Sequence, residues 1–180
     1  MTRQLLATAA ASLALVAAGC GGSDESSSTS PTEEWATSFC TAVTTWKDSL
    51  TSVTEQFSSQ SSLTSEALTD AANDAKSSTE TFVDELRALG PPETESGEAV
   101  KSSIDELSNT VESEVAKIES AAEGVSGLAD LPSAITSITT SISAMSAALS
   151  STVQTAESAD VNGELRTALG DTPACADISG

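Results

Sequence analysis

Four long segments of this chain repeat apolar residues every three or four positions, and that spacing constrains the fold more than any other feature. Residues three and four apart share one face of an α-helix, whereas a half-buried strand needs strict alternation. The first segment carries Trp35, Phe39, Val43, Trp46, Leu50, Val53 and Phe57. The second, from about Leu63 to Leu89, has a thinner stripe of Leu68, Ala71, Ala72, Ala75, Thr79, Phe82, Leu86 and Leu89, whose small residues let a neighbouring helix come close. Val100, Ile104, Leu107, Val111, Val115, Ile118 and Val125 mark the third; Leu131, Ile135, Ile138, Ile142, Met145, Leu149, Val153 and Ala156 mark the fourth. No stretch reads as a strand. The expected fold is all-α: four rods of about 40 Å in an antiparallel bundle, followed by a short C-terminal helix.

The punctuation agrees with these boundaries. Ser30-Pro31-Thr32-Glu33 supplies an N-cap, a proline at the first helical position and a glutamate placed to close a capping box. The polar run Ser58-Ser59-Gln60-Ser61-Ser62 separates the first two segments, and Gly90-Pro91-Pro92 stops the second. Gly124 to Gly127 ends the third, and Asp130 is placed to cap the fourth ahead of Pro132. Outside its apolar stripe the fourth segment is almost wholly Ser, Thr and Ala. It is therefore either the helix most enclosed by its neighbours or one with an unusually bland outer surface. Asn162-Gly163 then gives a turn, and Glu164 to Leu169 a short helix that carries Cys175 back toward the first.

The N-terminus has a different character. Thr2-Arg3 precede an Ala- and Leu-rich stretch of signal-peptide length, too short to be a good spanning helix, that closes on Ala17-Ala18-Gly19-Cys20. This end resembles a lipobox, although Ala17 stands where Leu is most common. The resemblance implies acylation of Cys20, removal of residues 1–19 and retention on the outer face of a membrane. Residues 20–30 then hold the lipidated cysteine and a polar, flexible linker of roughly 15 to 20 Å root-mean-square span. Residues 31–180 form the helical domain. With Cys20 acylated, Cys40 and Cys175 remain, and in an oxidising compartment they read as one disulfide.

Charge narrows the partners. The 27 carboxylates all lie beyond residue 19, while Arg3 leaves with the signal, so the net charge stays near −20. Nucleic acid and anionic headgroups are polyanions and are not expected as direct partners. The chain has no His and no Tyr, no G-x-S-x-G, no S-x-x-K and no phosphate-binding glycine loop, so a catalytic role is not expected. No cofactor is expected either. Asp84-Glu85, Asp105-Glu106 and the series Glu112, Glu114, Glu119 and Glu123 form carboxylate clusters, of which Glu119 and Glu123 share a helix face and would suit a hard cation. A solvated polar face explains them more simply.

Trp35 and Trp46 are three turns apart on one face, where they serve either as bundle core or as an aromatic wall for a ligand. Trp35, near the helix start, is the more exposed of the two by position. The helix Glu34-Trp35-Ala36-Thr37-Ser38-Phe39-Cys40, the Leu89-Gly90-Pro91-Pro92 turn and the late Pro173-Ala174-Cys175 together resemble a group of small helical actinobacterial lipoproteins. That resemblance supports the fold and the cross-link and implies no catalytic residue. The expected function is a membrane-anchored, extracytoplasmic and non-enzymatic module for interaction or envelope support. One alternative is a carrier holding a lipid or other apolar molecule between the helices, at the seam of the second and fourth; another is cation binding by surface carboxylates.

Overall fold

A computed structural model describes residues 29–59, 64–176 and 178, without the side chains of 56–59. The signal segment, Cys20, most of the linker and Leu63 lie outside the described residues, as does the side chain of Phe57. Five helices follow in order: α1 Pro31–Ser59, α2 Ser65–Leu89, α3 Gly97–Glu123, α4 Leu131–Ala159 and α5 Glu164–Asp171, with a 3₁₀ turn at Pro173–Cys175. Among the described residues there is no strand, and no helix is long and apolar enough to cross a membrane.

Helix starts follow local chemistry. The capping box at α1 forms in both directions: Ser30 N–H donates to Glu33 Oε2 at 2.6 Å, and Glu33 N–H donates to Ser30 Oγ at 3.2 Å. At α2 the Thr64 hydroxyl accepts from the Ala67 N–H at 3.2 Å, which sets the start two residues after Leu63. Asp130 stands at the N-cap position of α4 as expected, but its side chain makes no capping bond. Its carboxylate turns back to accept from the Ser126 N–H, the Ser126 hydroxyl and the Gly127 N–H, closing the α3–α4 loop instead.

Consecutive helices pack along their lengths as α1–α2, α2–α3 and α3–α4, the pattern of an up-down bundle. Between α2 and α3, Lys76 pairs with Glu119 at 2.9 Å and Arg87 with Glu112 at 3.0 Å. The fourth seam, between α1 and α4, is built differently. Over its Pro31 end, α5 and the 3₁₀ turn fold back against α1, with Leu165, Ala168 and Leu169 buried. Cys40 and Cys175 are joined there as a disulfide, their Cα atoms 5.0 Å apart. The Thr44 hydroxyl donates to the Ala174 carbonyl beside it at 3.2 Å. At the hinge of this clasp Gly163 has φ 76°, the Asp160 carboxylate accepts from the Arg166 N–H, and the Arg166 guanidinium donates to the Glu157 carbonyl at the end of α4.

The core stripes of α1, α2 and α3 fall where the spacing places them. That of α4 is rotated. Its buried residues are Ala134, Ile138, Ser141, Met145, Leu149, Thr152 and Ala156, while Leu131, Ile135, Ile142 and Val153 are only half-buried. Ile138, Met145, Leu149 and Ala156 of the expected stripe stay buried, and the small residues Ala134, Ser141 and Thr152 join them on one flank, where small side chains let a neighbouring helix come close. The question of α4's surroundings is thereby answered: it packs extensively against α3, only lightly against α5, and its outer surface is bland.

Candidate functional site

Both tryptophans are core residues. Trp46 is buried, stacks on Phe82 with ring centroids 4.4 Å apart, and donates its indole N–H to Thr79 Oγ1 at 3.0 Å. Trp35, the more exposed of the two by position, is the more exposed only marginally, at 7% against 3% for Trp46. Its ring stacks on Phe39, and its N–H donates to the Gly90 carbonyl at 3.0 Å, tying α1 to the α2–α3 turn. Under the clasp, the space enclosed by Trp35, Phe39, Val100, Thr152 and Leu169 shrinks to about 10 Å³, near the lower limit for one water. The interior beside Trp35 is packed shut, and the Pro31 end keeps only a surface cleft of about 440 Å³ between residues 30–33 and the start of α5.

Beyond the clasp the α1–α4 seam stays open. A groove of about 350 Å³ runs from Trp46 to Thr54 on α1 and from Ile142 to Ser150 on α4, with Ile178 at its upper edge. Leu50 and Leu149 are buried in its floor beside Trp46, and Ile142 forms a half-buried wall. The hydroxyls of Thr51, Thr54 and Ser150 on its rim donate to carbonyls four residues back, so their own helices already satisfy them. The groove therefore offers apolar surface bordered by preoccupied hydroxyls and by Lys47. The seam expected between the second and fourth helices is not a lateral one, because α2 packs between α1 and α3.

Electrostatics set this face apart. The α2 and α3 helices are dense with charge, and Glu114 and Lys117 of α3 line a groove against Thr136, Thr140 and Ser141 of α4, whereas α4 itself carries no Asp, Glu, Lys or Arg from Leu131 to Ala156. Of the carboxylates weighed as cation ligands, Glu119 and Glu112 hold the bases of α2, Asp105 holds Lys101 at 2.6 Å and Glu114 holds Lys117 at 2.6 Å. The bond from Lys117, aided by the Ser141 hydroxyl of α4, keeps the Glu114 carboxyl below the usual carboxylate range. Glu33 is lowered by its bonds from Ser30, and Asp130 by those from Ser126 and Gly127. The Lys76 ammonium is raised by its bond to Glu119. Among the described residues no three acidic or thiol side chains are grouped to hold a metal ion.

Three features of the site were not singled out from the sequence: the groove floor at Leu50, the wall at Ile142 and the upper edge at Ile178. The charge-free run of α4 is the signal that leads to them, because a helix this bland beside Ile-rich margins marks an open face. No family model, no curated protein and no solved structure matches this chain.

Proposed function

We propose that this chain is a lipoprotein acylated on Cys20, held on the outer face of a membrane, and that it works without catalysis as an interaction module through its α1–α4 face. One observation carries the reading of the face: on a molecule of net charge −20, a helix that is free of charge from Leu131 to Ala156 flanks the apolar groove. Such a surface suits protein contact, where charged residues are depleted at the core of the patch. The Gly- and Ser-rich segment after Cys20 supports a tethered role, as do the lipobox and the motifs shared in kind with small helical actinobacterial lipoproteins.

The anchor is tested by mass spectrometry of the membrane-bound chain. An N-terminal peptide beginning at acylated Cys20, together with release of a Cys20→Ser variant from the membrane, is the expected result; an unmodified Cys20 overturns it. The interaction is tested by capture from detergent-solubilised membranes, where a partner is expected with the native face and is lost when Ser146→Glu fills the groove rim. Capture that is indifferent to this change refutes the assignment of the face.

A second reading has its own observation in the groove itself, which lies within the ~300–1,000 Å³ of small-molecule sites. An apolar carrier would show a bound mass by native mass spectrometry after exposure to envelope lipid extract. A bare chain alone would dispose of it.

A further inference from the structure

We infer that the open half of the α1–α4 seam receives an amphipathic helix from a partner protein, laid in line with α5; the inference rests on the reading of the α1–α4 face as a docking surface. The other half of the same seam already holds such a helix. Leu165, Ala168 and Leu169 form the buried stripe of α5, and Leu169 enters between Trp35 and Phe39 of α1 and Val153 and Ala156 of α4. From Gly163 in the cleft with Glu33 to Ile178 at the groove edge with Trp46, the returning segment follows α1 along its length. The groove continues that line. Its lining repeats as well: Trp46 and Leu50 stand eleven residues, about three turns, after Trp35 and Phe39, and on the antiparallel α4 Ile142 stands eleven before Val153. In both halves an aromatic and a second apolar side chain of α1 meet a branched one of α4. The groove spans nine residues of each wall, about 13 Å, and the eight residues of α5 rise about 12 Å. A second helix of that length fits the space.

Backbone chemistry selects a helix over an extended peptide. Both walls are helices whose amides and carbonyls bond along their own axes, and the rim hydroxyls of Thr51, Thr54 and Ser150 are bonded to the same walls. An extended segment would bring N–H and C=O groups out of water and find no partners there, whereas a helix satisfies its own. Charge sets the outer face of the occupant. Lys47 stands at the Ile178 end of the groove, while exposed Asp48 and Glu55 lie three residues before Thr51 and four after it, on the strip of α1 next to the rim. With these carboxylates beside the groove and a net charge near −20 on the whole chain, the fitting helix carries Leu or Ile at i, i+3 and i+4 and Lys or Arg on its flank.

The probe is a side-chain-stapled helical peptide that repeats the spacing of Leu165, Ala168 and Leu169 and carries lysines on its outer positions. It is titrated against the full chain in phosphatidylcholine nanodiscs, with binding read from the anisotropy of a dye on the peptide. Saturable one-to-one binding is expected. It should weaken about tenfold or more with Ser146→Arg on the rim and stay unchanged with Ser143→Arg, which adds the same charge on the outward side of α4. Both positions are exposed, and equal melting temperatures of the two variants check that the fold is kept. A proline-broken peptide of the same composition is expected not to bind. No binding by the stapled helix, equal binding by the broken peptide, or equal weakening by both variants overturns the helical occupant. The reading beneath it fails separately: partner capture indifferent to Ser146→Glu removes the face and the helix together, whereas capture that stays sensitive to Ser146→Glu, with no peptide binding, removes the helix alone.

Discussion

At Gly97 the backbone leaves no room for a side chain, because a Cβ there would lie 2.2 Å from the Pro92 carbonyl oxygen. A rigid backbone atom cannot step aside as a side-chain tip can. Gly97→Ala is therefore expected to destabilise by about 1–3 kcal/mol, the usual cost of forcing extra volume into a tight site. Gly127→Ala, with nothing within 4 Å of the new atom, should be within about 0.5 kcal/mol of the parent in the same urea titration. Equal midpoints for the two variants would contradict the account of the α2–α3 turn. Thr79→Val probes a second residue-scale feature: it removes the acceptor of the buried Trp46 N–H and should cost about 1–3 kcal/mol, although the side-chain volume barely changes. Spacing places Thr79 in the buried stripe but does not reveal its bond to Trp46, and it does not mark Gly97 at all. Gly97 matters because a loop returns to it, and Thr79 because another helix brings an indole to it; both are tertiary facts. The tryptophans show the same limit. Their shared face was legible, but the exposure of Trp35 depended on where Gly90 comes to rest.

Among the elements, α4 shows why a strong apolar period can still mislead by a few tens of degrees. Counting bulky residues adds Leu131, Ile135, Ile142 and Val153 on one flank of the buried Ile138, Met145, Leu149 and Ala156, whereas the structure buries Ala134, Ser141 and Thr152 on the other flank. The four helices, the capping box and the Cys40–Cys175 link were legible because each depends on local chemistry or on a pair of cysteines. The openness of the α1–α4 seam was not, since it depends on how far α5 reaches. The clasp made by α5 and the 3₁₀ turn is held chiefly by the disulfide and by Leu165, Ala168 and Leu169. The cross-linked cysteines are separated by 135 positions. Reduction is expected to lower stability by about 2–5 kcal/mol and to raise hydrogen exchange in α5 before α2 and α3 respond. A urea midpoint unchanged by reductant would remove the clasp from the account of stability.

On the scale of the whole molecule, a surplus of about twenty negative charges opposes compaction, and this sets an unusual dependence on pH. Lowering the pH from neutral toward the carboxylate range discharges ordinary acids and relieves repulsion, so the melting temperature should first rise at low salt. Glu33, Glu114 and Asp130 act in the opposite direction. Their folded-state pKa values are lowered, so the stability they contribute is present above the unfolded values and is lost as pH falls through the folded ones. Stability should therefore peak on the acidic side of neutral and then decline. A melting temperature that falls steadily from pH 7 downward would contradict this balance.

The same charge distribution leaves α4 without charge from Leu131 to Ala156, and the face it forms with α1 is the proposed meeting place with a partner. Photo-cross-linking tests that most directly, with a photoreactive residue placed in full-length chains in their native membrane. It would stand at Ser146 on the α1–α4 groove or at Glu112 on the α2–α3 side. Discrete cross-linked products are expected from Ser146 and none from Glu112. Products from Glu112 alone, or from neither position, would contradict it.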